Sequence, residues 1–237
     1  MNKKKFMLLS AIAMLGFGAI APISNTNDVQ AATPYVDKNN ILHDYGQKND
    51  GVDLNKPLDS YITGRTTALR QGAWRVYIDP HFSKNDKKEL VEAIQAWQKK
   101  GVHIYRSMNK SLQMTDIFIE KPSKKYTKWM MKKHYLGLSQ PNSDPSQPNS
   151  NYTKITLATG YIRRSNGDYV HVSAEHELGH AFGMMHSLNK RSVMYYSDAG
   201  NNKIQYITKN DAKVARYLQK CLLDGNYYHA QTQTVTY

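Results

Sequence analysis

The residues with the clearest capacity for chemistry lie in the segment HELGHAFGMMH, residues 176–186. On a helix, residues four apart lie on one face about one turn apart, so the imidazoles of His176 and His180 can reach one metal ion at ~2.0–2.1 Å. Glu177 follows His176 directly and lies beside such an ion. From there its carboxylate can take a proton from a metal-bound water instead of serving as a ligand.

A third histidine, His186, joins this pair only if the helix ends and the chain turns back. In a continued helix, His186 would lie well off the face that carries His180. Gly183 predicts the required break, because glycine adopts the left-handed conformation of a helix end without steric cost. Three histidine ligands leave a fourth position open for water, which is the arrangement of a catalytic zinc site.

The chain before this segment contains the elements that must position it. Residues 74–78 (WRVYI) alternate as in a half-buried strand, and a capping-box signature then opens a predicted helix over residues 84–100. Gly101 is its expected C-terminal stop, and residues 101–105 and 114–120 read as further strands. A strand, a helix and two strands open either an α+β or an α/β domain.

Two further segments before the metal motif differ sharply in composition. Residues 121–138 are basic and aromatic; they predict a solvated loop or short helix, with binding of nucleic acid as the less favoured alternative. Residues 139–151 contain three prolines and no apolar residue, which predicts an exposed loop. Residues 153–162 read as another strand.

The motif resembles the zinc-binding signature of the metzincin metalloendopeptidases. Met194, within Ser192-Val193-Met194-Tyr195, is similar to the Met-turn of that family. Ser187 directly after the third histidine, together with the short separation between His186 and Met194, resembles the matrixin branch.

This resemblance implies an α+β fold: a metzincin-type catalytic domain with a twisted mixed β-sheet, an active-site helix, a packing helix and a C-terminal helix over residues 208–219. It implies that three histidines bind one zinc ion, that Glu177 is the general base and that Met194 lies beneath the metal. The implied zinc ligands are His176, His180 and His186. The implied reaction is hydrolysis of a peptide bond by zinc-activated water. The substrate would pair with an edge strand, for which Thr153 to Ile162 is the candidate.

The chain departs from the matrixin pattern in two places. Tyr196 stands where the pattern has proline; it either ligates zinc or stabilises the oxyanion, or else it walls the specificity pocket with Tyr195 and Tyr206. The single cysteine, Cys221, follows the site and is expected to be buried in the C-terminal helix, so a propeptide cysteine latch is absent. Calcium is compatible with the resemblance, but the sequence places no residues for it.

The N-terminus has the pattern of a secretory signal: three lysines, an apolar run over residues 6–20 and a small-residue site ending at Ala31. A retained membrane anchor is the alternative, although the run is short for a spanning helix of ~20 residues. The predicted organisation is a signal peptide (1–31), an extension or propeptide (32–70), a catalytic domain (71–225) and a tail (226–237). We therefore expect a secreted, extracellular monomer without a transmembrane anchor.

The charge of the chain bears on its partners. It carries 32 Lys and Arg against 19 Asp and Glu, a formal net charge of +13. Such a surface attracts polyanions, so anionic cell-surface polymers are expected partners beside a protein or peptide substrate, with no specific nucleic acid. Two alternatives to a secreted zinc endopeptidase stay open. One is a weak or inactive metzincin-fold protein that binds anionic surfaces, and the other is a peptidase for cell-wall peptides.

Overall fold

The structure is a computed structural model of the chain. It describes residues 35–36, 41–43, 51–53, 67, 69, 72–133, 135–142, 152–162, 169–187, 189–195 and 205–224. The expected signal peptide, Tyr196 and the expected tail lie outside these residues. The strands are β1 (Tyr35–Val36), β2 (Ile41–His43), β3 (Gly51–Asp53), β4 (Trp74–Ile78), β5 (Ile104–Ser107), β6 (Ile117–Glu120), β7 (Gly137–Asn142) and β8 (Tyr152–Leu157). The helices are α1 (Lys84–Lys99), α2 (Lys124–Lys132), α3 (Thr159–Ile162), α4 (Val170–Ala181) and α5 (Lys209–Leu223).

Five strands form one mixed sheet in the order β5-β4-β6-β8-β7, while β1 to β3 form a separate antiparallel sheet. In the larger sheet β5, β4, β6 and β8 are parallel and β7 is antiparallel to β8. The predicted half-buried strand at 74–78 is more buried than expected, because Arg75, which lies between the fully buried Trp74 and Val76, is also buried. Near-continuous burial is typical of an interior parallel strand. The mixed sheet with its helices confirms the predicted α+β fold class.

Helix α1 begins where the sequence predicts and ends at Lys99, one residue before the predicted end. The Ser83 hydroxyl accepts a hydrogen bond from the Asp86 amide at 3.1 Å, which satisfies one of the free N–H groups of the first turn. Leu90, Ile94 and other residues at helical spacing are buried against the sheet. Gly101 follows with φ +80°, the left-handed conformation expected of a helix stop.

Three aromatic rings connect β4 and α1 to the end of α4. The Phe182 ring stacks on Trp74 of β4 with ring centroids 4.2 Å apart, and the edge of Trp97 of α1 meets it at 5.2 Å. The Trp97 indole also donates a hydrogen bond to the Glu175 carbonyl at 3.0 Å. The packed sheet and α1 therefore hold α4 along its length, which fixes the side chains that α4 carries.

A residue from the segment before β4 is bound to the end of the same helix. The Thr67 amide and hydroxyl both donate to the Ala181 carbonyl, at 3.1 and 2.7 Å. The Trp74 indole donates to the Thr67 carbonyl at 3.1 Å, and Leu69 packs against the core. The last turn of α4 thus has a partner for one of the carbonyls that a helix end leaves free.

The stretch after β6 corrects one expectation. Residues 121–138 do contain a short helix, α2, which begins after Ser123 as its N-cap. The predicted exposed loop over 139–151 was wrong at its start, because residues 139–142 belong to β7 and Ser139 is buried. Leu138 packs with Met130 beneath α2, and this contact holds the strand in place.

The predicted strand over residues 153–162 is also shorter than expected, and its position differs. β8 ends at Leu157, and α3 occupies Thr159–Ile162. β8 lies between β6 and β7 in the sheet, so it is an interior strand. The assignment of residues 153–162 to the substrate-pairing edge was therefore wrong; the edge strand on this side is β7.

The C-terminal helix α5 starts at the predicted residue and runs one turn further than predicted. Thr208 and Asp211 form a reciprocal capping box in which each side chain accepts from the other's amide. Cys221 is buried on this helix, as expected. Among the helices that the structure describes, none combines the length and the apolar character needed to cross a bilayer.

Candidate active site

The chain reverses direction after α4, as the glycine predicts. The helix ends at Ala181, and Gly183 has φ +100°, a conformation that an L-residue with a side chain rarely adopts. The Gly183 and Met184 amides bond back to carbonyls of the last helical turn. This turn returns the chain so that His186 faces the helix it has just left.

The three predicted histidines converge on one point. The Nε2 atoms of His176 and His180 are 2.9 Å apart, and that of His186 is 3.2 Å from His180 and 3.3 Å from His176. A tetrahedral ion with bonds of ~2.0–2.1 Å requires nitrogens roughly 3.3 Å apart. All three residues are buried, and they form a group that could hold a metal ion.

Hydrogen bonds on the far side of two rings fix which nitrogen faces the centre. His176 Nδ1 donates to the Val193 carbonyl at 2.6 Å, and His180 Nδ1 donates to the Met184 carbonyl at 2.9 Å. Because Nδ1 carries the proton, the Nε2 lone pairs of His176 and His180 both point inward. Lone pairs facing each other at this distance repel unless a cation lies between them, so the arrangement fits a bound metal ion.

Burial favours the neutral, ligating form of the His176 and His180 imidazoles. It lowers the pKa of His176 to about 3, with the neighbouring His186 adding to the effect and the Val193 carbonyl opposing it. Burial also lowers the pKa of His180 well below its ordinary value, and both neighbouring histidines contribute. A neutral imidazole is the form that binds a metal ion.

A turn around Met194 supports the histidines from below. Met194 is fully buried, and its sulfur lies against Gly179 of α4. The expectation that Met194 forms an apolar floor beneath a metal ion stays a prediction. The Met194 carbonyl accepts from the Ser187 amide at 2.7 Å, which closes the turn against the segment that carries His186.

Ser192 connects this turn to the start of α5. Its hydroxyl donates to Asp211 Oδ1 at 2.7 Å and accepts from the Met194 amide at 3.0 Å. Asp211 uses its other oxygen for the capping box with Thr208. Sequence reasoning missed this link because the partners lie 19 positions apart, although both ends carry recognisable local motifs.

Glu177 points from α4 towards the edge strand β7. It is almost fully buried, and the Ser139 amide donates to its carboxylate. A Cβ at Gly137 would lie only 2.7–2.8 Å from the Glu177 Cγ and Cδ, so this glycine makes the space that the carboxylate fills. Glu177 Oε2 is buried and has no hydrogen-bond partner. Burial raises the pKa of Glu177 well above its ordinary value, and the Ser139 amide partly opposes this.

Among the described strands, β7 forms one edge of the sheet, and it runs past this carboxylate. The Ala158 amide donates to the Leu136 carbonyl at 2.8 Å, and in an antiparallel pair the residues bonded to the neighbouring strand alternate with those that are not. In the register Ser139↔Ile155, the backbone groups of Gly137, Ser139 and Pro141 therefore face away from β8. Pro141 loses no ladder bond there, because its nitrogen points outward.

Neither Gly137 nor Ser139 was predicted from the sequence to be part of the site. A usable signal was present: Leu136 and Leu138 alternate with small residues, and a proline follows, which is compatible with an edge strand. The other described histidines lie elsewhere: His171 contacts Glu89 at 3.8 Å, and His81 is exposed and bonded to Asp79.

The fold and the site together define a zinc-metallopeptidase-like domain. The matrixin family model matches residues 73–219, and the chain belongs to the matrixin family. No match was found among curated proteins. Among solved structures, the chain is similar to an archaemetzincin from Methanopyrus kandleri, with 12% sequence identity, a TM-score of 0.41 and coverage of 64% of this chain and 98% of that one. The family implies zinc, and the group of three buried histidines fits it.

Proposed function

We propose that the protein is a secreted zinc metalloendopeptidase in which Glu177 is the general base and His176, His180 and His186 hold the zinc ion. One observation carries this proposal. Glu177 Oε2 is a buried carboxylate oxygen without a hydrogen-bond partner. Glu177 directly follows His176, whose Nε2 atom faces the Nε2 atoms of His180 and His186. An unsatisfied buried oxygen is costly, and it is explained if a reacting group completes its hydrogen bonding.

When bound, zinc polarises a carbonyl as a Lewis acid, makes water more acidic and by its charge favours the ionised form of Glu177. The Glu177 carboxylate takes a proton on Oε2 from the attacking water while the Ser139 amide holds its other oxygen, and the water oxygen bonds to the carbonyl carbon of the peptide. Glu177 then gives that proton to the nitrogen of the scissile peptide bond. The carbon–nitrogen bond breaks, its electron pair stays on nitrogen and an amine leaves.

The substrate in this proposal lies extended along β7. The outward-facing backbone groups at Gly137 and the Ser139 carbonyl can pair with a peptide strand, whose scissile bond then passes Glu177. The edge strand of the sheet and the Glu177 carboxylate meet at the same residue, Ser139. This coincidence supports cleavage of a protein or peptide substrate.

The experiment is cleavage of an unfolded protein by residues 32–237, beside the Glu177→Ala variant, with zinc measured in both samples. We expect both to bind one zinc ion and Glu177→Ala to lose at least about 100-fold in activity, the range of general-base catalysis. A folded wild type without zinc would overturn the assignment. Cleavage of cell-wall peptides alone would keep the chemistry and replace the proposed substrate.

Export and domain organisation belong to the same proposal. The lysine-rich start and the apolar run support a signal peptide removed after Ala31, followed by an extension to residue 70, a catalytic domain over 71–225 and a tail over 226–237. The monomeric, extracellular form is tested by N-terminal sequencing and light scattering of protein recovered from the medium. An intact N-terminus on membrane-bound protein would instead support an anchor.

A second candidate function, binding to an anionic surface polymer, is favoured by α2. Lys124, Lys128 and Lys132 are exposed on one face about 6 Å apart, and none forms an ion pair with a described residue. Such a row of point charges suits a chain of phosphodiesters, whereas the apolar side of the helix, at Met130, is already buried in the protein.

The matched test replaces these three lysines by Gln and compares the variant with Gln at Lys209, Lys213 and Lys220, three exposed lysines of α5. Both variants lose the same charge. We expect a soluble polyglycerol phosphate to bind more weakly only when α2 is changed, at equal ionic strength. Equal losses in both variants would mean general electrostatic attraction without a defined surface.

A further inference from the structure

The hydroxyl of Ser139 is the other buried side-chain atom without a partner. Among the buried side-chain nitrogen and oxygen atoms that the structure describes, only Ser139 Oγ and Glu177 Oε2 have no hydrogen bond. Ser139 is almost completely buried, at 1% exposure. The two atoms belong to residues that are in contact, because the Ser139 amide donates a hydrogen bond to Glu177. Both unsatisfied oxygens therefore lie at one corner of the site.

The strand geometry gives the side of the sheet on which this hydroxyl lies. Successive side chains of a strand point to opposite faces, so Ser139 shares a face with Gly137. The Cβ direction of Gly137 points at Glu177, while Leu138 packs on the opposite side with Met130. The Ser139 side chain therefore lies on the same face of β7 as the Glu177 carboxylate.

The mechanism proposed for Glu177 includes no hydrogen bond to this hydroxyl. A serine hydroxyl can donate one hydrogen bond and accept others, and it is costly to bury without either. The group that passes this corner in the proposed reaction is the scissile peptide bond, whose nitrogen receives the proton from Glu177. This nitrogen carries a hydrogen that needs an acceptor when its lone pair turns towards Glu177.

We propose that Ser139 is a further catalytic residue, whose Oγ accepts a hydrogen bond from the N–H of the scissile peptide bond and of the leaving amine. The proposal rests on the proposed function and deepens it. The hydrogen bond orients the nitrogen so that its lone pair meets the proton on Glu177 Oε2. The proton moves from Oε2 to nitrogen, the carbon–nitrogen bond breaks, and the new amine keeps its hydrogen bond to Ser139 until it leaves.

If Ser139 accepts this hydrogen bond, the effect of removing its hydroxyl on the cleavage rate should depend on the leaving group. An ester has an oxygen in place of the peptide nitrogen and therefore no N–H for Ser139 to accept. We compare a peptide with the depsipeptide of the same sequence, in which the scissile amide alone is an ester. Ser139→Thr keeps a hydroxyl and suits a strand, whereas Ser139→Ala removes the hydroxyl and leaves the amide that holds Glu177.

We expect Ser139→Ala to lower kcat for the peptide about ten-fold, with KM changed less than two-fold, and to leave ester cleavage unchanged. Ser139→Thr should recover most of the peptide activity. Zinc content and thermal unfolding, measured on the same samples, should match those of the wild type in both variants, which shows that any kinetic change does not come from a lost site or fold.

Parallel losses on peptide and ester would overturn the proposal, because they mean that Ser139 supports the strand or Glu177 generally. Unchanged rates on both substrates would overturn it as well. A zinc-loaded wild type that cuts neither substrate would overturn the proposed function and this inference together. That outcome is distinct from failure of the Ser139 role, in which the wild type cuts both.

Discussion

Met194 and Gly179 are packed so closely that the sulfur of Met194 occupies the space in which a side chain at residue 179 would begin. A Cβ at Gly179 would overlap this sulfur and lie 3.1 Å from Met194 Cε. Met194 is fully buried, so its side chain has little freedom to move aside. The contact sets how near the Met194 turn lies to the helix that carries His176 and His180.

Gly179→Ala should therefore damage the metal site. The added methyl group forces the turn away from α4, and overpacking of this kind costs ~1–3 kcal/mol in unfolding free energy. We expect a lower Tm and weaker zinc binding in a competition titration with a chelator. Gly160→Ala is the matched control, because a Cβ at Gly160 meets nothing within 4 Å. Equal behaviour of the two variants would contradict this account.

Gly137→Ala should affect catalysis and spare the metal. The new methyl group would meet the Glu177 carboxylate, which must leave the position where the Ser139 amide holds it. We expect a fall in kcat of at least ten-fold with zinc affinity near that of the wild type. Measured side by side, Gly137→Ala and Gly179→Ala separate damage to the base from damage to the ligands. Loss of zinc from Gly137→Ala would show that the position of the Glu177 carboxylate and the zinc ligands are not independent.

Ser192→Ala should loosen the Met194 turn and α5 together. It leaves Asp211 Oδ1 without its 2.7 Å hydrogen bond and the Met194 amide without an acceptor. We expect a loss of ~1–3 kcal/mol in unfolding free energy, measured by denaturant titration. In a cycle with Asp211→Asn, the double variant should lose less than the sum of the single variants. Strict additivity would mean that the two side chains act separately.

Glu175 should make stability depend on pH. Burial raises the pKa of Glu175 to about 7, with the charge of Lys100 acting in the opposite direction. The folded chain thus holds this proton more tightly than the unfolded chain, so its contribution to stability is complete below pH ~4.5 and is lost as pH rises through 7. Glu175→Gln stays neutral, and relative to the wild type it should gain of the order of 2–3 kcal/mol at pH 8 and nothing at pH 4.

The measurement is denaturant unfolding of the Glu175→Gln variant and the wild type across this pH range, with zinc present at saturation throughout. Glu92→Gln serves as control, because Glu92 lies on the surface of α1 and pairs only weakly with Lys88, at 3.8 Å. Its difference from the wild type should not vary with pH. A uniform loss of stability in Glu175→Gln at every pH would point to a packing role for the charged side chain.

The local parts of the site were predictable from the sequence, and the long-range parts were not. The helical spacing of His176 and His180 and the conformational freedom of Gly183 are properties of a few neighbouring residues, so they indicate three converging imidazoles directly. The N-cap residues and the helical spacing of apolar residues likewise predict helices α1 and α5.

The edge strand was missed because its sequence, GLSQPN, contains a glycine and a proline that usually mark a loop. β7 forms because Leu138 has Met130 to pack on and β8 offers a partner strand, and neither is visible within the segment itself. For the same reason, the sequence placed the edge of the sheet at residues 153–162, whereas the edge strand in the structure is β7. The hydrogen bond between Ser192 and Asp211 also depends on tertiary structure.

The edge strand of a sheet can pair with the same strand of another copy of the chain, and β7 is poorly suited to such pairing. Of its three outward-facing residues, Pro141 has no amide hydrogen and Ser139 has already given its own to Glu177. Two identical edges must exchange donors and acceptors reciprocally to extend a sheet. This edge offers mainly carbonyl oxygens, so a peptide that brings its own N–H groups can bind there, while aggregation of the protein with itself is disfavoured.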